Sequence, residues 1–142
     1  MIEKIKSYFF GEKRQIQVSD LGIFEARVKS NSKTSWMNTN AIKLDFGMIN
    51  FLLMGDDRGP YKSEVRNAQE ILNRIKQLRE QVKSYPGVQS KYGALDSSKL
   101  REIQVNSWDE DDGIFEITFT YQTSKSILLG AMYKDGKVYD IE

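Results

Sequence analysis

Few residues in this chain belong to the types that carry out catalysis. The 142-residue sequence has no histidine and no cysteine. Their absence excludes Ser-His-Asp and Cys-His machinery, disulfide bonds, and zinc sites with His or Cys ligands. General acid–base chemistry would depend on carboxylates, lysines or tyrosines with strongly shifted pKa values. We therefore expect the chain not to be an enzyme.

The densest group of potential metal ligands is the acidic run Asp109–Asp112, which Gly113 follows. Clustered carboxylate oxygens are the ligands that Ca²⁺ prefers. The spacing differs from an EF-hand, because the glycine comes one place early and no glutamate closes a twelve-residue loop. We interpret the run as a solvated hairpin turn and predict no metal or cofactor. A carboxylate- or metal-dependent enzyme stays open as an alternative, with these candidate residues: Asp109, Asp111, Asp112, and Glu116 or Asp45.

The overall charge predicts neither a nucleic-acid partner nor a membrane partner. Lysine plus arginine number 21 and aspartate plus glutamate 20, so the formal net charge is +1. Long-range attraction toward phosphate backbones or anionic lipids needs a larger excess of positive charge. Any electrostatic recognition must therefore come from a local patch.

One local patch is the polar face of a predicted helix, and its basic residues are Lys62, Arg66, Arg74, Lys76, Arg79 and Lys83. Such a stripe favours association with an acidic partner. Because Glu64, Glu70 and Glu80 interrupt it, a plain solvated face is the alternative. We take Arg66, Lys76 and Arg79 as candidate residues for a partner surface.

The two tryptophans, Trp36 and Trp108, lie beside polar turns. Large aromatic residues in such places line binding clefts or close the end of a core. We keep both as candidates for a partner or ligand surface, with core packing as the other interpretation.

The clearest element in the sequence is an amphipathic helix from about residue 61 to 85, since apolar residues recur there at steps of three and four. Leu72 and Ile75 lie in the middle of this apolar stripe, so we expect both to be buried. Helical spacing of apolar residues also predicts a short helix over 2–10. The irregular segment 88–96 is expected to be a loop with one helical turn.

Alternating polar and apolar residues predict strands on both sides of the long helix. The segments are 15–18, 23–28, 35–37, 42–46 and 48–54 before it, and 102–105, 114–121, 126–133 and 137–141 after it. Because 48–54 is more continuously apolar, a short helix stays open as the alternative there. Asp135-Gly136 predicts a two-residue hairpin. The expected fold is a single α+β domain over 1–142, with a mainly antiparallel sheet of about seven to eight strands, one long helix packed on it, and the short N-terminal helix.

Short motifs in the chain resemble bacterial families known only as domains of unknown function. Asp20-Leu21-Gly22-Ile23-Phe24 resembles their opening, and Trp36 falls where an aromatic begins the next strand. The closing pattern is similar over 99–103, 113–119 and 135–140. Relatives often have a Gly-His pair where this chain has Ser124-Lys125-Ser126. The resemblance implies the fold and a bacterial cytoplasmic origin, and it transfers no catalytic residue.

Together these observations predict a non-catalytic protein-interaction module, of an immunity-like or accessory kind. A small-ligand-binding domain, with an aromatic pocket near the tryptophans, is the other alternative. No run of 18 or more apolar residues occurs, and the N-terminus lacks the apolar region of a secretory signal. We therefore expect a cytoplasmic protein.

Overall fold

A mostly antiparallel sheet is the framework of the fold in the computed structural model, which describes residues 11–142. The α+β class and the mainly antiparallel sheet are confirmed. The ten strands are β1 (Glu12–Val18), β2 (Gly22–Val28), β3 (Thr34–Asn38), β4 (Ile42–Leu44), β5 (Gly47–Asp56), β6 (Gly59–Pro60), β7 (Leu100–Asp109), β8 (Ile114–Gln122), β9 (Ser126–Lys134) and β10 (Lys137–Ile141).

The strand order is β1-β2-β3-β5-β7-β8-β9-β10, and the short strands β4 and β6 also pair with β5. The described part of the chain thus has more strands than the seven to eight predicted. Nine of the ten strands overlap the segments with strand-like patterns, and only β6 among residues 11–142 has no such segment, because its two residues are too few to alternate. The helix predicted for residues 2–10 lies outside the described residues.

Alternation along the strands gives the sheet one buried face, which we call the inner face. On β5, for example, Ile49, Phe51 and Leu53 are fully buried, while the residues between them are half-buried. The same alternation on β2, β8 and β9 places their buried residues in one continuous core with those of β5 and β7. Side chains alternate between the two faces of a strand, so these strands contribute about every second residue to the core.

Three helices and a 3₁₀ turn follow β6: α1 (Lys62–Asn73), α2 (Ile75–Lys83), α3 (Val88–Tyr92) and the 3₁₀ turn (Ser97–Lys99). The prediction of one continuous helix was wrong, because the helix breaks at Arg74. The loop predicted for 88–96 contains α3 as its helical turn. No helix within residues 11–142 has the length and apolarity needed to cross a membrane.

The break at Arg74 coincides with a contact to the far hairpin. Arg74 has φ −109° and ψ 10°, outside the helical region, and its N–H bonds to the carbonyls of Glu70 and Ile71. Its guanidinium donates a hydrogen bond to the carbonyl of Gly136, between β9 and β10. The helical repeat in the sequence records only the apolar stripe, which continues across the break, so it cannot reveal this tertiary contact.

The apolar stripe of α1 and α2 packs on the inner face through Ala68, Ile71, Ile75, Leu78 and Val82. Ile75 is buried as predicted, with 3% of its surface exposed. Leu72 is only half-buried at the edge of the core, so the prediction that it is buried was wrong. Ile71, one position earlier, takes the central place.

The strands β5 and β7 pair in parallel, and Met48 aligns with Glu102. Parallel neighbours need a long connection that crosses over the sheet. The helices supply this connection, and as a result the starts of β5 and β7 lie side by side.

The hairpin predicted at Asp135-Gly136 is confirmed. Lys134 pairs with Lys137, and both turn residues have positive φ, 52° for Asp135 and 84° for Gly136. Positive φ at both central positions is the geometry of a type I′ turn, which favours glycine at the second.

We expect Ile75→Ala to lower the free energy of unfolding by about 2–5 kcal/mol, because it leaves a cavity in the core. Leu72→Ala serves as the matched control and should cost roughly half as much, since its side chain is half-exposed. Chemical denaturation of the two variants measures both values. Equal losses would contradict the packing described for α1 and α2.

We expect Gly136→Val to be clearly destabilising, by about 1–2 kcal/mol or more, because an L side chain is strained at positive φ. A Cβ atom there would also lie 3.2 Å from Nη1 of Arg74. Lys134→Ala, outside the turn, should change stability by less than about 0.5 kcal/mol. Thermal unfolding of both variants tests the turn geometry.

Candidate anion-binding cleft

A cleft of about 530 Å³ lies where the β4–β5 turn, α2 and the 3₁₀ turn meet. Its lining includes two arginines, two serines and one aspartate. The lining residues are Asp45, Phe46, Gly47, Arg79, Ser97, Ser98, Leu100 and Arg101. We refer to it as the Arg79 cleft.

Phe46 forms one wall of the cleft. It sits in the tight turn between β4 and β5 and packs, half-buried, against the edge of the core. The next residue, Gly47, has φ 150°, and a Cβ atom there would come within 3.0 Å of the carbonyl oxygen of Arg101. Glycine therefore allows the turn to approach the start of β7 closely, which brings Phe46 and Arg101 to the same cleft.

Arg79, on α2, is held against this wall. Its guanidinium carbon lies 4.7 Å from the centre of the Phe46 ring, within the range of a cation–π interaction. Only 15% of the Arg79 side chain is exposed, and Glu80 Oε1 lies 3.3 Å from both Nε and Nη2. The cationic head is therefore fixed in place before any ligand arrives.

Lys76 lies one turn earlier on α2 and faces the same ring, with Nζ 5.7 Å from its centre. The same ammonium forms an ion pair of 3.2 Å with Asp45, and both side chains are largely exposed. Exposed pairs of this kind contribute little to stability. Locally, the ammonium of Lys76 offsets the negative charge of Asp45, the one carboxylate in the lining.

The opposite side of the cleft is formed by the 3₁₀ turn. Asp96 caps it, accepting hydrogen bonds from the N–H of Ser98 at 3.0 Å and the hydroxyl of Ser98 at 2.8 Å. The hydroxyl oxygen of Ser97 accepts a bond of 2.9 Å from Lys83 Nζ. Arg101 Nη1 donates to the carbonyls of Ser98 and Leu100 at 2.8 and 3.1 Å. These bonds orient a second guanidinium at the cleft.

Tyr121 lies near Arg79, paired with Leu100 in the sheet. Its hydroxyl is buried and has no hydrogen-bond partner in the described part of the chain. Burial raises the pKa of Tyr121 to about 12. The phenol therefore stays neutral at physiological pH and adds no negative charge here.

A larger cleft of about 670 Å³ lies along β1, β2 and β3, but its charged groups contact one another. Lys13 pairs with Glu25 at 3.0 Å, and Gln15 donates to the same carboxylate at 3.3 Å. Arg27 donates to the carbonyl of Gly11. We take the Arg79 cleft as the candidate site because two guanidiniums, those of Arg79 and Arg101, line it together.

Of the predicted partner residues, the structure brings Lys76 and Arg79 together and leaves the others elsewhere. Arg66 is exposed on α1, on the other side of the break at Arg74. Trp36 is fully buried in the core, where its indole N–H donates a 3.0 Å bond to the carbonyl of Asp56. Trp108 is 62% exposed at an irregularity in the β7–β8 pairing. The idea of one aromatic pocket lined by both tryptophans is therefore corrected: Trp36 is a core residue and Trp108 a surface residue.

The acidic run forms the turn between β7 and β8. Asp109 accepts backbone hydrogen bonds from Asp111 at 3.1 Å and Asp112 at 3.3 Å, and Glu110 forms an ion pair with Lys33. Asp45 adjoins the start of β7, whereas the acidic run begins at the other end of this strand. The two are therefore separated by roughly 23 Å. In the part of the chain that the structure describes, no group of three or more acidic residues is placed to hold a metal ion.

Glu64 is the one buried carboxylate among residues 11–142, with 1% of its surface exposed. It lies in the first turn of α1, and Oε1 accepts a 2.9 Å bond from the N–H of Met54 on β5. The nearby Ser107 hydroxyl favours the ionised form, although no well-formed hydrogen bond joins the two. Burial dominates and raises the pKa of Glu64 above its ordinary value. We interpret Glu64 as an anchor between helix and sheet.

Sequence reasoning missed Phe46, Ser97 and Arg101 as members of a site. In the sequence, Phe46 is only the last residue of the strand predicted over 42–46. The signals available were local: Asp96-Ser97-Ser98 is typical of a capped turn, and Phe46-Gly47 of a tight turn. No local pattern indicates that these two turns meet beside α2.

Comparisons with protein-family models, with curated proteins and with solved structures find no match to this chain. The resemblance to domain-of-unknown-function families therefore stays a prediction. The evidence for the candidate site therefore comes from the geometry of this chain alone.

We expect Glu64→Gln to stabilise the protein at neutral pH, because Gln keeps an acceptor for the Met54 N–H and removes the buried charge. The pKa of Glu64 is raised by folding, so its favourable contribution is present below about pH 4.5 and is lost as pH rises through the folded-state pKa. The variant's advantage should thus grow as pH rises from about 4.5 to the folded-state pKa, and stay constant above it. Urea denaturation from pH 4 to pH 8 measures it. Glu102→Gln, at an exposed position on β7, is the control and should show no such trend.

Proposed function

We propose that this chain is a non-catalytic protein-interaction module, of an immunity-like or accessory kind, which binds an acidic segment of a partner at the Arg79 cleft. The observation that carries the proposal is the placement of Arg79. Its guanidinium is stacked on Phe46 and largely buried, yet it lines an open cleft beside Arg101.

Two features of the cleft support an acidic partner. Arginine is favoured at interfaces because its planar guanidinium binds carboxylates in a fixed geometry and loses less freedom per hydrogen bond. Lys76 and Lys83 add positive charge at the two sides of the cleft, through their contacts with Asp45 and Ser97. Such a local field attracts an anionic segment even though the whole chain carries a net charge of only +1.

A second candidate function is the binding of a small anionic molecule in the same cleft. Its volume of about 530 Å³ falls in the range of small-molecule sites. The cleft is open to solvent, however, whereas small-molecule sites enclose most of the surface of their ligand. An exposed protein segment fits this shape better.

A cytoplasmic, bacterial setting belongs to the same proposal. It is supported by the absence of cysteine from the sequence and by the resemblance to bacterial families. None of the helices in residues 11–142 is long and apolar enough to cross a membrane.

We expect Arg79→Gln to abolish or strongly weaken capture of the partner from a native lysate, by at least about tenfold in Kd once the partner is purified. Binding should also weaken as salt rises, because the attraction is between charges. Arg66→Gln makes the same change of charge on α1, outside the cleft, and should bind as the unmodified protein does.

The thermal unfolding of both variants serves as the control for folding, since Arg79 packs on Phe46. Arg101→Gln, at a more exposed position, tests the same cleft with less structural risk. A partner that binds all three variants equally would contradict the proposed site. Binding that is independent of salt would contradict the proposed chemistry.

A further inference from the structure

We infer that the anionic group recognised in the Arg79 cleft is a phosphate monoester on a side chain of the partner, in preference to a carboxylate. This inference rests on the proposed function and adds the chemical class of the ligand. Three observations support it: hydrogen-bond donors that no group within residues 11–142 uses, the local positive charge, and the fixed positions of the Arg79 and Arg101 guanidiniums.

Three side chains of the lining have hydrogen-bond donors that no contact among residues 11–142 engages. Glu80 contacts Nε and Nη2 of Arg79, which leaves Nη1. The two carbonyl bonds of Arg101 use Nη1, which leaves Nε and Nη2. Ser97 accepts from Lys83 through its oxygen, so its hydroxyl hydrogen is available. A phosphate monoester presents three terminal oxygens to match three donor groups, whereas a carboxylate has two.

The local charge also favours a strongly charged anion. Basic side chains outnumber acidic ones by one among those that line the cleft or contact a lining side chain. The basic residues are Lys76, Arg79, Lys83 and Arg101, and the acidic residues are Asp45, Glu80 and Asp96. A phosphate monoester has a charge between −1.5 and −2 at pH 7, roughly twice that of a carboxylate.

Both guanidiniums are ordered by contacts within the protein. Arg79 is held by Phe46, and Arg101 by two backbone carbonyls of the turn it follows. A ligand therefore does not bear the entropic cost of ordering these long side chains. The carboxylate of Asp45, which opposes any anion, is paired with Lys76.

The test is a titration of the full chain, followed by NMR, with three short peptides that differ at one residue: phosphoserine, glutamate or serine. We expect the phosphoserine peptide to shift the backbone amide signals of 97–101 and to bind at least about tenfold more tightly than the glutamate peptide. Arg101→Gln should remove this preference, and Arg66→Gln should retain it. Glycerol phosphate is titrated in parallel as a free phosphate monoester.

Equal affinity for the phosphoserine and glutamate peptides would overturn the inference and leave the proposed acidic partner intact. Tighter binding of glycerol phosphate than of the phosphoserine peptide would overturn the inference, because the phosphate would then belong to a small molecule and not to a side chain of the partner. Shifts confined to residues outside the cleft would overturn both the inference and the proposed site. Loss of the preference in Arg101→Gln but not in Arg66→Gln would support the inference.

Discussion

Burial of one apolar stripe against the inner face of the sheet is the constraint on which the rest of this structure depends. Residues such as Ile71, Ile75 and Leu78 form one core with the buried residues of β5, β7 and β8. Because this burial fixes the rotation of α2 about its axis, it also decides which side chains of α2 point away from the core. Lys76 and Arg79 reach the rim beside Phe46 for that reason.

The break at Arg74 divides two tasks between the helices. The segment before it anchors to β5 through Glu64, and the segment after it carries the cationic side of the cleft. Arg74 itself is bound to the β9–β10 turn. The orientation of the two helices is therefore set by one contact in the middle of the sheet, at β5, and by another at its β9–β10 edge, which gives the cleft a defined shape without a ligand.

Much of the fold could be predicted from the sequence, because it follows from patterns that are local. Alternation revealed β2, β8 and β9, the three- and four-residue repeat revealed the helical region, and Asp135-Gly136 revealed the last hairpin. What could not be predicted depends on contacts between distant segments. The break at Arg74 needs Gly136, the burial of Trp36 needs a carbonyl from β5, and the cleft needs two turns about 50 residues apart in the chain.

The parallel pairing of β5 with β7 also bears on the rate of folding. Met48 and Glu102 are partners across about 50 residues of intervening chain, while every hairpin pairs residues close in sequence. Closing so long a loop costs entropy before the contacts it allows are gained. We expect the hairpins β1–β2 and β7–β10 to form early and separately, and their joining through β5 to be the slow step of folding. The Arg79 cleft lies at that junction, so we expect this candidate site to be completed last.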